Sequence, residues 1–421
     1  MLSEFFDSPL RIHELGIGLA GAHFAGFAST LFHAGYAELT ARRHIRAAEH
    51  FLFWAVQHGV LVCEADEQSL VRFDRHLGHC RCPRFGCSDR RNMLRGIRLF
   101  LNHLRTAGVI TACATDVSPP DPALYTAFCE WMRQQRGTCD RTLYNYGIPI
   151  RGMLRRLGDD PRQFDARRVR EFLLEESRRG GWAAAKRCTT ALRMFLRFLI
   201  AEGRCTAELV AAIPVLAHWR LSALPRYLPP DDVERLIASC DTASPVGRRD
   251  RAILLLLARL GLRAGDIVQL RLSDIDWNGA WILVCGKGRR DTRLPLTQEV
   301  GQALVTYLQG SRPPTDAEAF FVRNRAPFRA FRSHAAVSVI VARAFARAAV
   351  TRPSRGAAHL LRHSVAVSML RHGASLHDIA GLLRHRSIET TQIYAKVDVT
   401  ALRQIAQPWP AVSDRVKFPT S

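Results

Sequence analysis

Two proline interruptions, Pro119 with Pro120 in ATDVSPPDP and then Pro225, Pro229 and Pro230 in ALPRYLPPDDVERLI, cut this chain into three stretches. Proline lacks the amide that a helix interior needs and restricts the residue before it, so each run marks a boundary. A chain of 421 residues is in any case too long for one ordinary core, at roughly 100 to 200 residues per domain. The expected divisions are 1–118, 121–218 and 226–408, with a loose tail over 409–421.

Periodicity assigns a character to each stretch. Residues 1–118 read as a mainly helical extension, with apolar clusters in AEHFLFWAVQHGVLV and NMLRGIRLFLNHLRTAGVI. Between 121 and 218, four segments repeat apolar side chains at steps of three and four: YTAFCEWMRQQR, LYNYGIPIRGMLRRLG, RRVREFLLEESRR and WAAAKRCTTALRMFLRFLIAEG. They predict a compact helical bundle. The third stretch opens with helices, and Asp231 or Asp232 can cap the first of them. It then passes through RLSDIDWNGAWILVCGKGRRDTRLPL and returns to helices from about residue 333. β-Branched and aromatic residues in its middle, with turns at Asn278–Gly279 and around Lys287, predict a short antiparallel meander. The fold class is therefore mainly α with a small antiparallel β-sheet, an α+β arrangement.

A net charge of +22 and a pI near 10.5 point to a polyanionic partner, because a chain this basic repels its own copies until it meets one. The 56 Arg against 4 Lys show a general arginine bias that contributes to the charge and sets each lysine apart. Arg187, Arg193 and Arg197 lie on polar helix faces and suit either water or DNA. Apolar runs such as 252–260 fall far short of the roughly 20 residues that span a bilayer, so no membrane partner is expected. The first residues lack a basic region followed by an apolar core, and the eleven Cys are irregularly spaced. Free thiols in a reducing cytoplasm are the expectation.

The last 200 residues concentrate groups suited to a phosphate. Arg263 in GLRAGDIVQL follows an apolar helix across a glycine turn, where its planar fork can meet two oxygens. Lys287 in CGKGRRDTRLPL stands between glycines, and a lysine can give up a proton where arginine cannot. His359 and Arg362 in HLLRHSVAVSMLRHG share one helix face, while His363 reads as a packing or supporting residue pointing elsewhere. His385 and Tyr394 follow in LLRHRSIETTQIYAK. Two arginines to clamp, a lysine and two histidines to move protons, and one hydroxyl to attack are the capacities that transfer through a covalent intermediate requires.

This ordered set, Arg263, Lys287, His359, Arg362, His385 and Tyr394, resembles the catalytic domain of the tyrosine recombinase, or phage integrase, family. GLRAGD looks like that family's first box, GKGRRDTRLPL like its lysine hairpin, HLLRHS like its second box and LLRHRSIETTQIYAK like its third. Residues 121–218 look more loosely like its core-binding domain, and 1–118 carry no such likeness. The resemblance implies that Arg263, Arg362 and His385 hold the non-bridging oxygens while His359 assists deprotonation of Tyr394. Lys287 then protonates the departing 5′ oxygen, and a 3′-phosphotyrosyl link preserves the bond for religation without ATP, metal or other cofactor. It further implies double-stranded DNA as partner, four protomers on paired sites and a mobile-element role in integration or transposition, with an accessory protein left open. A helix over about 398–407 would dock on a neighbour or on its own domain. Two departures stand out: Asp266 where many members have glutamate, and Arg384 where glycine is common. The competing readings are a type IB topoisomerase-like relaxing enzyme and a non-catalytic DNA-binding accessory protein, the latter requiring the loss of a group that is present here.

Within twelve residues the first stretch also holds His76, His79, Cys80, Cys82 and Cys87, ringed by Arg81, Arg84, Arg90 and Arg91. Four zinc ligands could come from such a set. The spacings do not form two CxxC pairs, so a cysteine-rich surface loop or protein contact is the reading adopted, with no metal.

Overall fold

The computed structural model describes residues 1–17, 21–83, 85, 89–110, 121–216, 224–285, 291–351, 356–385, 387–398, 402, 403 and 406. It is mainly helical with one small antiparallel sheet, as the periodicities imply. Contacts divide the chain into two compact units, one of residues 1–111 with 221–421 and the other of 112–220.

In the first unit, α1 (Pro9–Ile17), α2 (Gly21–His33), α3 (Glu38–Gln57), α4 (Glu67–Leu77) and α5 (Arg90–Thr106) enclose an apolar core that includes Phe27, Phe51, Phe73 and Phe100. Two of these helices start at aspartate caps: Asp66 accepts from the Ser69 amide at 2.7 Å and Asp89 from the Asn92 amide at 3.1 Å. Ala326, far along the chain, packs against the same core. At Gly35, φ is +73° and a Cβ would come within 2.2 Å of the Phe328 ring, so any side chain there would be strained and would displace that ring.

The second unit holds α6 (Ala123–Arg136), α7 (Asp140–Leu157), α8 (Ala166–Ala201) and the short α9 (Glu208–Ala211) around Phe128, Phe172, Phe195 and Phe198. Gly181 interrupts α8 with φ +67° and ψ −171°, so its two halves are the third and fourth amphipathic segments read from the sequence.

The first unit resumes with α10 (Pro230–Ala238), α11 (Pro245–Ala258) and α12 (Ala264–Gln269), then a three-stranded sheet, α13 (Gln298–Gly310), α14 (Ala335–Arg347), α15 (Ala357–Arg371) and α16 (Leu376–Leu382). Ser244 caps α11 through the Gly247 amide at 3.1 Å, Pro245 fills its first position, and its residues 252–257 are completely buried. Each of its leucines contributes about 1.5–3 kcal/mol by leaving water. The strands β1 (Ile275–Asp276), β2 (Trp281–Cys285) and β3 (Asp291–Pro295) pair in sequence order, with Trp281 opposite Pro295 and Cys285 opposite Asp291. Lys287 and its glycine neighbours lie outside the described residues. So does most of the helix expected over 398–407. No described helix is long and apolar enough to cross a membrane. The nine described cysteines form no disulfide.

Candidate active site

The site is assembled from the ends of three elements around α15. After α11 the chain turns through Gly261, whose φ is +58° and whose Cβ would strike Leu383 at 2.8 Å. This turn delivers Arg263 to the start of α12. There the Asp266 carboxylate accepts the Arg263 amide at 2.8 Å and holds the bend. The Arg263 guanidinium is half-buried and reaches the carbonyls of Leu383 and Arg384 at 3.5 and 3.4 Å. Arg362, only 4% exposed, rises from α15 and donates to the carbonyls of Gly261 and Leu383. Both arginines therefore converge on the same short stretch after α16.

The two departures noted in the sequence meet in space. Arg384 adopts φ +52°, the left-handed conformation that explains why glycine suits this position. Its guanidinium bonds Asp266 Oδ2 at 2.5 Å, with the two side chains only 6% and 9% exposed. The two positions that depart from the resemblance are therefore in direct contact. Arg384 Nε and Nη1 are buried without a hydrogen-bond partner. Three guanidinium groups thus face one carboxylate. Burial, then Arg263 and Arg384, bring the Arg362 pKa down to about 9. An anion among these groups would relieve that repulsion.

Tyr394 lies in the 3-10 segment Gln392–Val397, 1% exposed, in a small apolar cluster with Ala366, Val367, Ile379 and Leu383. Burial pushes the phenol up to about 12, partly opposed by the charge of Arg362. Its hydroxyl lies 2.7 Å from His363 Nδ1, within hydrogen-bond distance. The sequence reading took His363 as a packing or supporting residue pointing elsewhere, and the structure places its ring against Tyr394. On a helix, residues 359 and 363 are four apart and share a face, a relation stronger than the offset of one from Arg362 suggested. Their ring centroids are 6.4 Å apart. Burial, followed by His359 and Arg362, lowers His363 to about 4, so the ring is neutral near neutrality.

The remaining histidines flank this pair. His359 is exposed one turn earlier, its pKa lowered by desolvation and then by Arg362 and Arg263. His385 Nδ1 and Thr391 Oγ1 are 2.8 Å apart, with Thr391 fully buried. Burial, then Arg362 and Arg263, lower His385 to about 4. Of the six residues singled out in sequence, Arg263, Arg362, His359, His385 and Tyr394 gather around α15 and the chain following α16. Lys287 falls outside the described residues. His363 and the Arg384–Asp266 pair complete the group.

Residues 226–400 match the phage integrase family. The chain is 36% identical over 415 residues to y4rA of Sinorhizobium fredii (strain NBRC 101917 / NGR234), a provisionally named integrase/recombinase, covering 97% of this chain and 99% of that one. It is 30% identical over 309 residues to tyrosine recombinase XerD of Rhizobium meliloti (strain 1021), covering 70% of this chain and 96% of the relative. Among solved structures, XerH bound to palindromic difH DNA aligns with a TM-score of 0.54 at 18% identity, over 80% of this chain and 93% of XerH. A lambda integrase fragment bound to its core site aligns at 0.52 and 20% identity, over 69% of this chain and 98% of the fragment, so both share the fold. With a full-length relative at this identity and a buried tyrosine beside two arginines and a histidine, the chain belongs to the phage integrase family of tyrosine recombinases.

Proposed function

We propose that this protein cleaves and rejoins DNA strands at specific sites through a 3′-phosphotyrosyl intermediate formed on Tyr394. The observation that carries the reading is the Tyr394 hydroxyl held 2.7 Å from His363 Nδ1, on the same helix as the buried Arg362. In the proposed cycle the phosphate enters among Arg263, Arg362 and His385, which oppose the charge that builds as phosphorus becomes pentacoordinate. His363 takes the phenol proton, and His359 lies one turn away on the same helix. The tyrosyl oxygen forms its bond to phosphorus as the bond to the 5′ oxygen breaks, and Lys287 supplies the proton that oxygen needs. A 5′ hydroxyl from a second duplex reverses the step and releases Tyr394. Because Tyr394 is buried, its 3-10 segment must shift for the oxygen to come within about 3–3.5 Å of phosphorus.

The solved neighbours include a lambda integrase tetramer on a Holliday junction, at a TM-score of 0.51. Four protomers on two duplexes, serving a mobile element, is the assembly and role this reading adopts for the chain. The basic charge of +22 supports a double-stranded DNA partner. The test incubates purified protein with nicked duplexes carrying element ends and resolves the products under denaturing conditions. The wild type is expected to leave protein attached to a 3′ end. Tyr394→Phe is expected to lower attachment by at least about 10⁴-fold while binding DNA as before. Equal attachment by both proteins would refute the reading.

A further inference from the structure

The Cys/His-rich segment of the first unit groups side chains that the proposed cleavage does not use. Of the residues grouped there in sequence, His79 is exposed and stands apart, and Cys87 lies outside the described residues. His76, in the last turn of α4, and Cys80 and Cys82 just beyond it converge with a residue the spacing did not reveal, His50 of α3. One ligand atom from each of these four lies within 4.8 Å of all the others. Cys80 Sγ is 3.4 Å from His50 Nε2, and Cys82 Sγ is 3.3 Å from His76 Nε2. A tetrahedral centre with Zn–S near 2.3 Å and Zn–N near 2.0–2.1 Å has sulfur-to-nitrogen edges of about 3.5 Å. The two observed edges agree with that geometry.

The packing gives a further reason. His50 is 1% exposed, its Nδ1 has no partner, and its recorded polar contact is the weak one to Cys80. A buried imidazole so poorly bonded is costly, and a cation at Nε2 would supply a strong partner. The Phe85 ring stacks on His50 at 4.5 Å and 3°, which shields the cluster on one side. The Cys82 amide donates to Cys80 Sγ at 3.5 Å, as suits a sulfur carrying negative charge.

We propose that His50, His76, Cys80 and Cys82 bind one zinc ion that fastens the segment after α4 onto α3. Two imidazoles and two thiolates in a tetrahedron favour zinc, and four protein ligands leave no open position, so the ion is structural.

The test uses the full chain, purified under reducing conditions without chelator. One zinc per chain is expected, with an X-ray absorption first shell of two sulfurs and two nitrogens at the distances above. This readout needs no variant and is insensitive to any folding defect. Cobalt exchanged into the wild type should give the intense visible bands of a tetrahedral thiolate site. Cys80→Ser with Cys82→Ser should lower zinc content at least tenfold, whereas Cys63→Ser and Cys87→Ser should keep it. Protein without zinc, with iron instead, with a first shell other than two sulfurs and two nitrogens, or with zinc retained in the double variant would overturn the proposal.

Discussion

His363 is the residue at which the two proposed proton carriers can be told apart. Its neutral form prevails above about pH 4, because burial and the charges of His359 and Arg362 disfavour protonation. A base with the ordinary value near 6.5 would lose function as the pH falls through that value. The second-order rate constant for adduct formation is therefore expected to show no acid-limb inflection between pH 6 and 7, since it reports the free enzyme. His363→Ala should lower it by about 10²–10⁴-fold, and His359→Ala by less. The reverse ranking of the variants would return the base role to His359, and a profile falling at 6.5 would contradict the lowered value of His363.

Arg384 and Asp266 give the second residue-scale test. Removing one partner of a buried ion pair leaves the other charge uncompensated, at a cost of about 3–5 kcal/mol. Asp266→Asn is expected to approach that cost, because Arg384 stays buried with Nε and Nη1 already unpaired. Arg384→Gly should cost less, since glycine accepts φ +52° without strain and Asp266 still holds the Arg263 amide. Urea denaturation of the single and double variants should yield a coupling above about 1 kcal/mol. Additive effects would show that the pair does not act as a unit.

Among the elements, α8 carries the clearest constraint. Its midpoint at Gly181 has φ +67° and ψ −171°, a region reached essentially by glycine alone. Gly181→Ala is expected to destabilise the second unit by about 1–3 kcal/mol, read as a lower urea midpoint for the fluorescence of Trp131, which packs in its core. An unchanged midpoint would mean that the break is not required. The sequence held this element as two amphipathic segments, because the apolar period loses phase at the Gly180–Gly181 pair. The antiparallel strands were equally legible, their alternation and turn at Asn278 and Gly279 surviving as β1 and β2. Less legible was the face that His363 takes, since sequence offset alone does not state which neighbours a helical ring will touch. His50 left no local signal, because it sits 26 residues before His76 on a helix whose buried stripe reads as ordinary core.

At the scale of the whole molecule, residues scattered from 263 to 394 become one site because the elements carrying them wrap a shared core. The turn at Gly261, the buried face of α15 and the chain after α16 bring together groups separated by up to 131 positions. The candidate groups could be proposed without contacts because each is of a type with few other uses in that order. What the sequence could not supply was the pairing of Asp266 with Arg384, a contact across 118 positions. The central claim is that Tyr394 itself bonds to phosphorus, and the most direct measurement is tandem mass spectrometry of the trapped, nuclease-digested DNA–protein complex. A nucleotide remnant on the Tyr394 side chain, absent from Tyr394→Phe, is the predicted result. A remnant on any other residue, or one that persists in the variant, would contradict it.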